Sequence, residues 1–152
     1  MNFKELSIFL AKAKQNTYAS SGEGGEEVLA DGAKEFYFKE NSFYYRDRYY
    51  GYNPFSGQEV VFYNKKSIWT MNYYGKVLSD KISPKEIYNF LKTALSKVDK
   101  NKPFRGACDL INDNFEYKNK AKGNLAEFSG REEIYYKKNL VYKLDYHGGL
   151  IN

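Results

Sequence analysis

Two glutamates are the residues of this chain whose type and placement best fit chemistry. Glu59 lies in the stretch FSGQEVVFY and Glu132 in the stretch FSGREEIYY, and side-chain alternation along a strand puts each acid on the apolar face. A carboxylate on such a face needs a hydrogen-bond partner. The two acids could be structural, or they could line a cleft between two halves of the chain, with elevated pKa values, and hold a ligand. If both acids and a water converged, general acid–base hydrolysis would be conceivable.

The partners expected for the two acids are tyrosines on the following strand. A three-residue loop at 138–140 keeps the apolar face of the second hairpin continuous and puts Glu132 opposite Tyr146. The same register in the first hairpin puts Glu59 opposite Tyr73. A phenol hydroxyl directly across the strand could then bond each carboxylate.

Arginine side chains offer a second chemistry, the binding of an anion. Arg46 and Arg48 alternate with aromatic residues in FYYRDRYYGY, and Arg105 stands in NKPFRGACD. Arginine interleaved with aromatic rings can hold a phosphate or stack a base, although an exposed strand with cross-strand charge pairs has the same pattern. Arg105 could clamp an anion or cap the carboxyl end of the preceding helix.

Nucleophilic and metal chemistry find little support. His147, in DYHGGLI, is the only histidine; it could be a general base, but no Ser or Cys is tied to it by spacing. Cys108, the only cysteine, precedes the acidic Asp109 and is a poor nucleophile candidate. One histidine excludes multi-histidine metal sites, and we expect no cofactor and no metal.

Composition limits the class of protein. With 42% hydrophobic and 18% aromatic residues among 152, the chain can bury a sizeable core, which argues against disorder. The net charge of +5 is scattered among acids; it mildly favours anionic partners. There is no RNP-type motif or dense basic stripe, so we do not expect sequence-specific nucleic-acid binding. One cysteine favours a reducing, cytoplasmic location, and no apolar run predicts a membrane span.

An internal repeat predicts the fold. Phe55–Leu78 and Phe128–Ile151 align without a gap at an offset of 73 residues, sharing the FSG triplet, the glutamate and a Tyr-x-Gly ending. Two amphipathic helices precede them, NFKELSIFLAKA and SPKEIYNFLKTA, and each begins with a capping box. In the first half we expect a hairpin of Lys34–Lys39 with Ser42–Tyr50; its shortened counterpart is Asn114–Asn119 followed by Asn124–Phe128.

The repeat predicts a single α+β domain over residues 1–152, made of two copies at about 1–80 and 81–152. Two helices would pack on one face of a curved antiparallel sheet, and the copies would be related by a pseudo-two-fold axis. A ligand site at the seam would have Glu59 and Glu132 as polar anchors, and the loop SSGEGG (Ser20–Gly25) is expected to be mobile and could close over it. The predicted walls are aromatic: Trp69, Tyr73, Tyr142 and Tyr146.

Several stretches together resemble an uncharacterised bacterial family, the domain of unknown function DUF5680. They are FLAKAKQNTYAS, the segment FYYRDRYYGYNPFSGQEVVFYNKKSIWTMNYYG, KPFRG and EEIYYKKNLVYKLDYHGGLI, of which YHGGLI is the most specific. Members often follow an Xre-type helix-turn-helix in proteins classed as transcriptional regulators, so the resemblance implies a sensor or effector-binding role. It assigns no functional residues. A looser analogy links the duplicated halves and acid-bearing cleft to GyrI-type effector domains, which bind small, often cationic, organic molecules.

Three functional hypotheses follow. The first is a non-enzymatic domain that binds a small molecule, cationic if the acids dominate the seam and nucleotide-like if the arginines face it. The second is a protein-interaction module that uses an exposed Tyr-rich sheet face. The third is a small hydrolase that uses the paired acids or His147.

Overall fold

The computed structural model describes residues 2–21 and 25–151. The predicted mobile loop at Ser20–Gly25 therefore lies partly outside the described residues. Three helices are described: α1 (Phe3–Gln15), α2 (Tyr18–Ser21) and α3 (Pro84–Leu95). Nine strands are described: β1 (Glu27–Val28), β2 (Lys34–Glu40), β3 (Phe43–Gly51), β4 (Phe55–Tyr63), β5 (Lys66–Val77), β6 (Asp109–Asn112), β7 (Phe115–Asn124), β8 (Glu127–Tyr136) and β9 (Asn139–Leu150).

The strands form one antiparallel sheet in the order β1-β2-β3-β4-β5-β9-β8-β7-β6. The sheet is open, with the short strands β1 and β6 at its edges, and β5 and β9 pair at its centre. The predicted α+β fold with an antiparallel sheet is confirmed.

Capping side chains begin both long helices at the predicted residues. Asn2 Oδ1 accepts a hydrogen bond from the backbone N–H of Lys4 at 2.9 Å. Ser83 Oγ accepts one from the N–H of Glu86 at 3.2 Å and donates to the Glu86 carboxylate at 3.2 Å, which completes a capping box. None of the helices in the described part of the chain has the length and apolar character needed to cross a membrane.

Both long helices contribute to one core that covers one face of the sheet. From α1, Phe9 stacks on Phe43 of β3 with ring centroids 4.8 Å apart, and Phe43 contacts Tyr63 at 4.8 Å. The same arrangement recurs on the same face in the other half of the sheet, where three rings at corresponding places in the chain pack at 5.0 and 4.9 Å: Phe90, Phe115 and Tyr136.

The central strand pair brings residues at corresponding positions of the two halves opposite one another. Tyr73 of β5 lies directly opposite Tyr146 of β9, which is the residue that aligns with it in the sequence repeat. Trp69 lies opposite Leu150, and the residues that align with these two, Tyr142 and Val77, also lie opposite each other. A two-fold relation between the copies would require such a register; the internal symmetry itself stays a prediction. Because β5 pairs with β9, the halves share one hydrogen-bonded sheet.

The predicted register within each repeated hairpin is wrong by two residues. Tyr73 pairs with Gly57 and Tyr146 pairs with Gly130, rather than with the two glutamates. The hairpins turn through two residues, not three, and both residues of each turn (64–65 and 137–138) have positive φ, as a type I′ turn requires. A bulge in β5 and in β9 then shifts the register once more. The shift of two leaves the predicted faces unchanged.

The counterpart of the first hairpin also differs from the prediction. Residues 115–124 form one continuous strand, β7, where two separate segments were expected. The strand that corresponds in place to β2 is the short β6, formed by Asp109–Asn112, which the sequence analysis did not identify.

The repeated FSG triplet is explained by rings that lie across the neighbouring strand. A Cβ atom built on Gly130 would lie 2.2 Å from Tyr146 Cζ, and one on Gly57 would lie 2.5 Å from Tyr73 Cζ. Each tyrosine ring occupies the space that a side chain would fill at the paired glycine. Cross-strand packing of this kind explains why glycine is required inside these strands.

Gly130→Ala should therefore lower the free energy of unfolding by about 1–3 kcal/mol, because the new methyl group must displace the buried ring of Tyr146. Urea denaturation measures the change. Ser129→Ala, at the exposed neighbouring position, is the control and should change stability by less than about 0.5 kcal/mol. Equal effects of the two substitutions would contradict the packing described.

Candidate functional site

Glu59 and Glu132 are both buried between the sheet and the helices, with 1% and 0% of their surfaces exposed. Each forms an ion pair with a buried cation: Glu59 with Lys14 of α1, and Glu132 with Arg105, which follows α3. Neither acid forms the hydrogen bond that the sequence predicted: Tyr73 does not donate to Glu59, and Tyr146 does not donate to Glu132. The two carboxylates belong to separate clusters, one in each half of the sheet.

The Glu132 cluster is closed by hydrogen bonds. Arg105 donates from Nη2 to Oε1 at 3.0 Å and from Nε to Oε2 at 3.1 Å. Tyr117 and Tyr142 donate their hydroxyls to the same carboxylate at 2.6 and 3.0 Å. Tyr146 instead donates to Asn119 Oδ1 at 2.8 Å. Four donated bonds give a fully buried carboxylate the partners it needs, so this cluster is structural.

The Glu59 cluster contains a third charged group, Asp47 of β3. Asp47 pairs with Glu59 across the strands and is itself buried, with 8% exposure. Tyr73 donates its hydroxyl to Asp47 Oδ1 at 2.6 Å, where the sequence analysis had assigned that hydroxyl to Glu59. Two carboxyl groups thus stand side by side with one cation, Lys14, from the helix above.

The two clusters differ at two positions that correspond between the halves of the chain. Asn119 of β7 pairs with Glu132 as Asp47 of β3 pairs with Glu59. The two long helices align with Glu5 on Glu86, an offset of 81 residues, so Lys14 corresponds to Leu95. The second half therefore has neither the extra acid nor the helix cation, and Arg105 supplies the charge that Glu132 needs.

A cavity of about 60 Å³ adjoins the Glu59 cluster, beneath the helices. Four of its described lining residues are buried ionisable groups: Lys14, Asp47, Glu59 and Arg105. Seven others are aromatic: Tyr18, Tyr45, Tyr49, Tyr52, Phe55, Tyr73 and Tyr88. Exposed Gly51 and Tyr52 mark its mouth.

Burial controls the proton affinities in this cavity. Desolvation, reinforced by the charge of Glu59, raises the pKa of Asp47 from 3.8 to about 7. Desolvation also lowers the pKa of Lys14, although the adjacent Glu59 opposes the change. The pKa of Tyr73 lies well above its ordinary value through burial and the nearby charge of Asp47, so this phenol stays a hydrogen-bond donor.

The residues proposed from sequence are distributed over four regions. Glu59, Tyr73 and Arg105 line the cavity, and Arg105 also lies over the Tyr73 ring at 5.5 Å. Glu132, Tyr142 and Tyr146 form the bonded network described above. Trp69 has no exposed surface and stacks on Phe128 at 5.4 Å, inside the core.

Three proposed residues lie on the opposite face of the sheet, away from the helices. Arg48 donates from Nε to Glu35 at 2.7 Å, Arg46 lies over the Phe62 ring at 5.6 Å, and His147 is exposed in an open groove near Arg131. They do not meet the two glutamates, so the arginines of FYYRDRYYGY and the acids form no common site.

Lys14 and Asp47 are the site residues that sequence reasoning missed, and both carried a signal. Lys14 lies one helical turn after Leu10, on the apolar side of α1. Asp47 alternates with Tyr45 and Tyr49, which are buried, so strand periodicity puts it on the core face. A charged residue at a position that faces the core is uncommon, and it indicates a buried polar site.

Comparison with known protein families matches residues 47–151 to the model of a domain of unknown function, DUF5680. The matched span begins at Asp47 and includes β4, β5, α3 and β6–β9; Lys14 and α1 lie before it. No curated protein matches the chain, and no solved structure matches it.

Asp47→Asn should stabilise the protein more at about pH 8 than at about pH 5. The folded pKa of Asp47 is about 7 against an ordinary 3.8, so the folded state binds this proton more tightly, and stability is lost as the pH rises between those values. Asparagine retains an oxygen that accepts the Tyr73 hydroxyl, but it does not titrate, so it removes the dependence of stability on pH. The difference in unfolding free energy between the variant and the wild type should grow by about 2–3 kcal/mol from about pH 5 to about pH 8, measured by urea denaturation.

The matched control for that experiment is Asp145→Asn. Asp145 is an exposed carboxylate on the outer face, paired with Arg131 at 2.7 Å, and its removal should produce no comparable growth with pH. If the difference in unfolding free energy between Asp47→Asn and the wild type were the same at about pH 5 and about pH 8, the raised pKa of Asp47 would be contradicted.

Proposed function

The chain belongs to the DUF5680 family, whose function is unknown, and we propose that it is a non-enzymatic domain that binds a small molecule in the cavity beside Glu59. The observation that carries the proposal is the combination of four buried ionisable groups with an aromatic wall in one concave site. Binding sites for small molecules are typically apolar and aromatic, with a few polar groups that fix orientation.

The charged groups of this cavity are difficult to explain as stabilising features. Burying an ion pair removes two charges from water, and apolar residues of similar volume often give equal or greater stability. The second copy of the fold has leucine in place of Lys14 and asparagine in place of Asp47. Each half nevertheless pairs its buried glutamate with a cation. Asp47 is therefore the charge that the fold does not require, and a role in recognition accounts for its presence.

The cavity has walls from both halves of the chain, as a seam site requires. Tyr49 and Glu59 come from the first half, whereas Tyr88, Leu91 and Arg105 come from α3 and the segment after it. A ligand held there would contact both copies at once. The proposal thus includes a sensor or effector role, in which occupancy changes how the halves pack.

The other two hypotheses gain less from the geometry. Exposed Tyr37, Tyr50 and Tyr74 lie on three different strands, and nothing identifies a protein that would cover them. For the hydrolase, Glu132 is fully enclosed by donors and His147 lies on the opposite face of the sheet, so the acids and the histidine do not share a site.

A fragment screen by thermal shift tests the proposal. Ala19 of α2 lines the cavity and is 7% exposed, so Ala19→Phe should fill the space. Compounds that raise the melting temperature of the wild-type protein should have no effect on this variant.

The control for cavity filling is Ala126→Phe, an equal increase in size in the exposed β7–β8 turn, which should respond to the same compounds as the wild type. A screen with no active compound, or active compounds that stabilise all three proteins equally, would contradict the proposed site.

A further inference from the structure

We infer that the ligand of this cavity carries a compact positive charge, such as an organic ammonium group, and that Asp47 is the carboxylate that receives it. The inference rests on the proposed function and specifies the chemical class of the ligand.

The first support is the pairing of charges at the base of the cavity. Lys14 contacts Glu59, and Arg105 contacts Glu132 through two nitrogens. Asp47 has no cation of its own among the described residues. Two cations thus face three carboxyl groups, and the unmatched one is Asp47.

The second support is the position of the Asp47 side chain. Its Oδ1 accepts a hydrogen bond from the Tyr73 hydroxyl. None of the described residues donates a hydrogen bond to its Oδ2. The residue lines the cavity and is more than nine-tenths buried. A carboxylate oxygen of a buried residue that borders a cavity and has no donor among the described residues is a site where a ligand N–H group gains a charge-assisted hydrogen bond.

The third support is the wall of the cavity. Aromatic faces attract cations, and groups of rings are used to recognise ammonium ligands. Tyr45 already has the ammonium of Lys14 6.0 Å from its centroid, and Arg105 lies over Tyr73. An anion would find both of these cations occupied by glutamates and would be repelled by Asp47.

The size of the cavity limits what enters it. A volume of about 60 Å³ exceeds the roughly 10–15 Å³ that one water-sized group needs, so the cavity holds a small group. This space accepts a head group such as ammonium, and the remainder of the ligand would extend towards the mouth at Tyr52, where Tyr18 is half-buried.

The first experiment compares three probes of the same shape and different charge: phenethylammonium, the neutral 2-phenylethanol and the anionic 3-phenylpropanoate. Binding to the full chain is measured by NMR titration at about pH 8. The ammonium should bind at least about tenfold more tightly than the alcohol, and the carboxylate should bind most weakly.

Asp47→Asn and Asn119→Asp provide matched variants. Asn119 is the counterpart of Asp47 and already accepts a tyrosine hydroxyl at 2.8 Å, which indicates that asparagine is compatible with this fold. Asp47→Asn should remove the preference for the ammonium over the alcohol, whereas Asn119→Asp, outside the cavity lining, should leave the preference within about twofold of wild type.

The pH dependence of affinity gives an independent readout. Protons compete with the cation for Asp47, so affinity for phenethylammonium should fall as the pH decreases from about 8 to about 6, while affinity for the alcohol should not change. The titratable groups that face Asp47 are Glu59, Tyr73, Lys14, Arg105 and Tyr45, and Asp47→Asn separates its contribution from theirs.

Equal binding of ammonium and alcohol, tighter binding of the carboxylate, or an unchanged preference in Asp47→Asn would overturn the inference and leave small-molecule binding intact. Absence of binding by all three probes would also overturn it. The fragment screen with Ala19→Phe decides the proposed function separately when its library is chosen to contain neutral and anionic compounds as well as cations.

Discussion

The structure depends on how two buried carboxylates are matched by cations between a sheet and its helices. Glu59 and Glu132 lie on the core face of adjacent halves of the sheet, where an unpaired charge would strongly destabilise the fold. Lys14 and Arg105 reach them from above the sheet, one from α1 and one from the segment after α3. These two contacts fix how the helical layer lies on the strands. They also determine the difference between the halves, since the second cluster is closed by tyrosine hydroxyls and the first is left with an additional acid beside a cavity.

Most of the fold could be predicted because its signals are local. Asn2 and Ser83 begin the helices as expected, and alternation along β5 and β9 assigned each residue to the correct face. The hairpin register could not be predicted. It depends on positive φ at Asn64, Lys65, Lys137 and Lys138, and three of these four are lysines, which do not signal a type I′ turn as Asn-Gly does. The bulges add a shift that no residue type marks.

The candidate site could be predicted only in part, because its members come together through tertiary packing. The burial of Glu59 and Glu132 followed from periodicity. Their cations did not, since Lys14 is 45 residues from Glu59 in sequence and Arg105 is 27 from Glu132. Asp47 was not predicted because it lies between two arginines in FYYRDRYYGY, and this run of charges is typical of an exposed strand. A charged residue that alternates with buried aromatic residues is a better indicator of a site than a cluster of exposed charges.

The state of Asp47 is the point on which the functional interpretation depends, because it is the buried acid that the protein leaves without a cation among the described residues. Carbon-13 NMR of the Asp47 carboxyl group, followed as a function of pH in the ligand-free protein and assigned with Asp47→Asn, measures that state directly. A titration midpoint at about 7 is the expected result. A midpoint near the ordinary value of 3.8 would mean that water or another group already stabilises the charge, and it would contradict the role assigned to this residue.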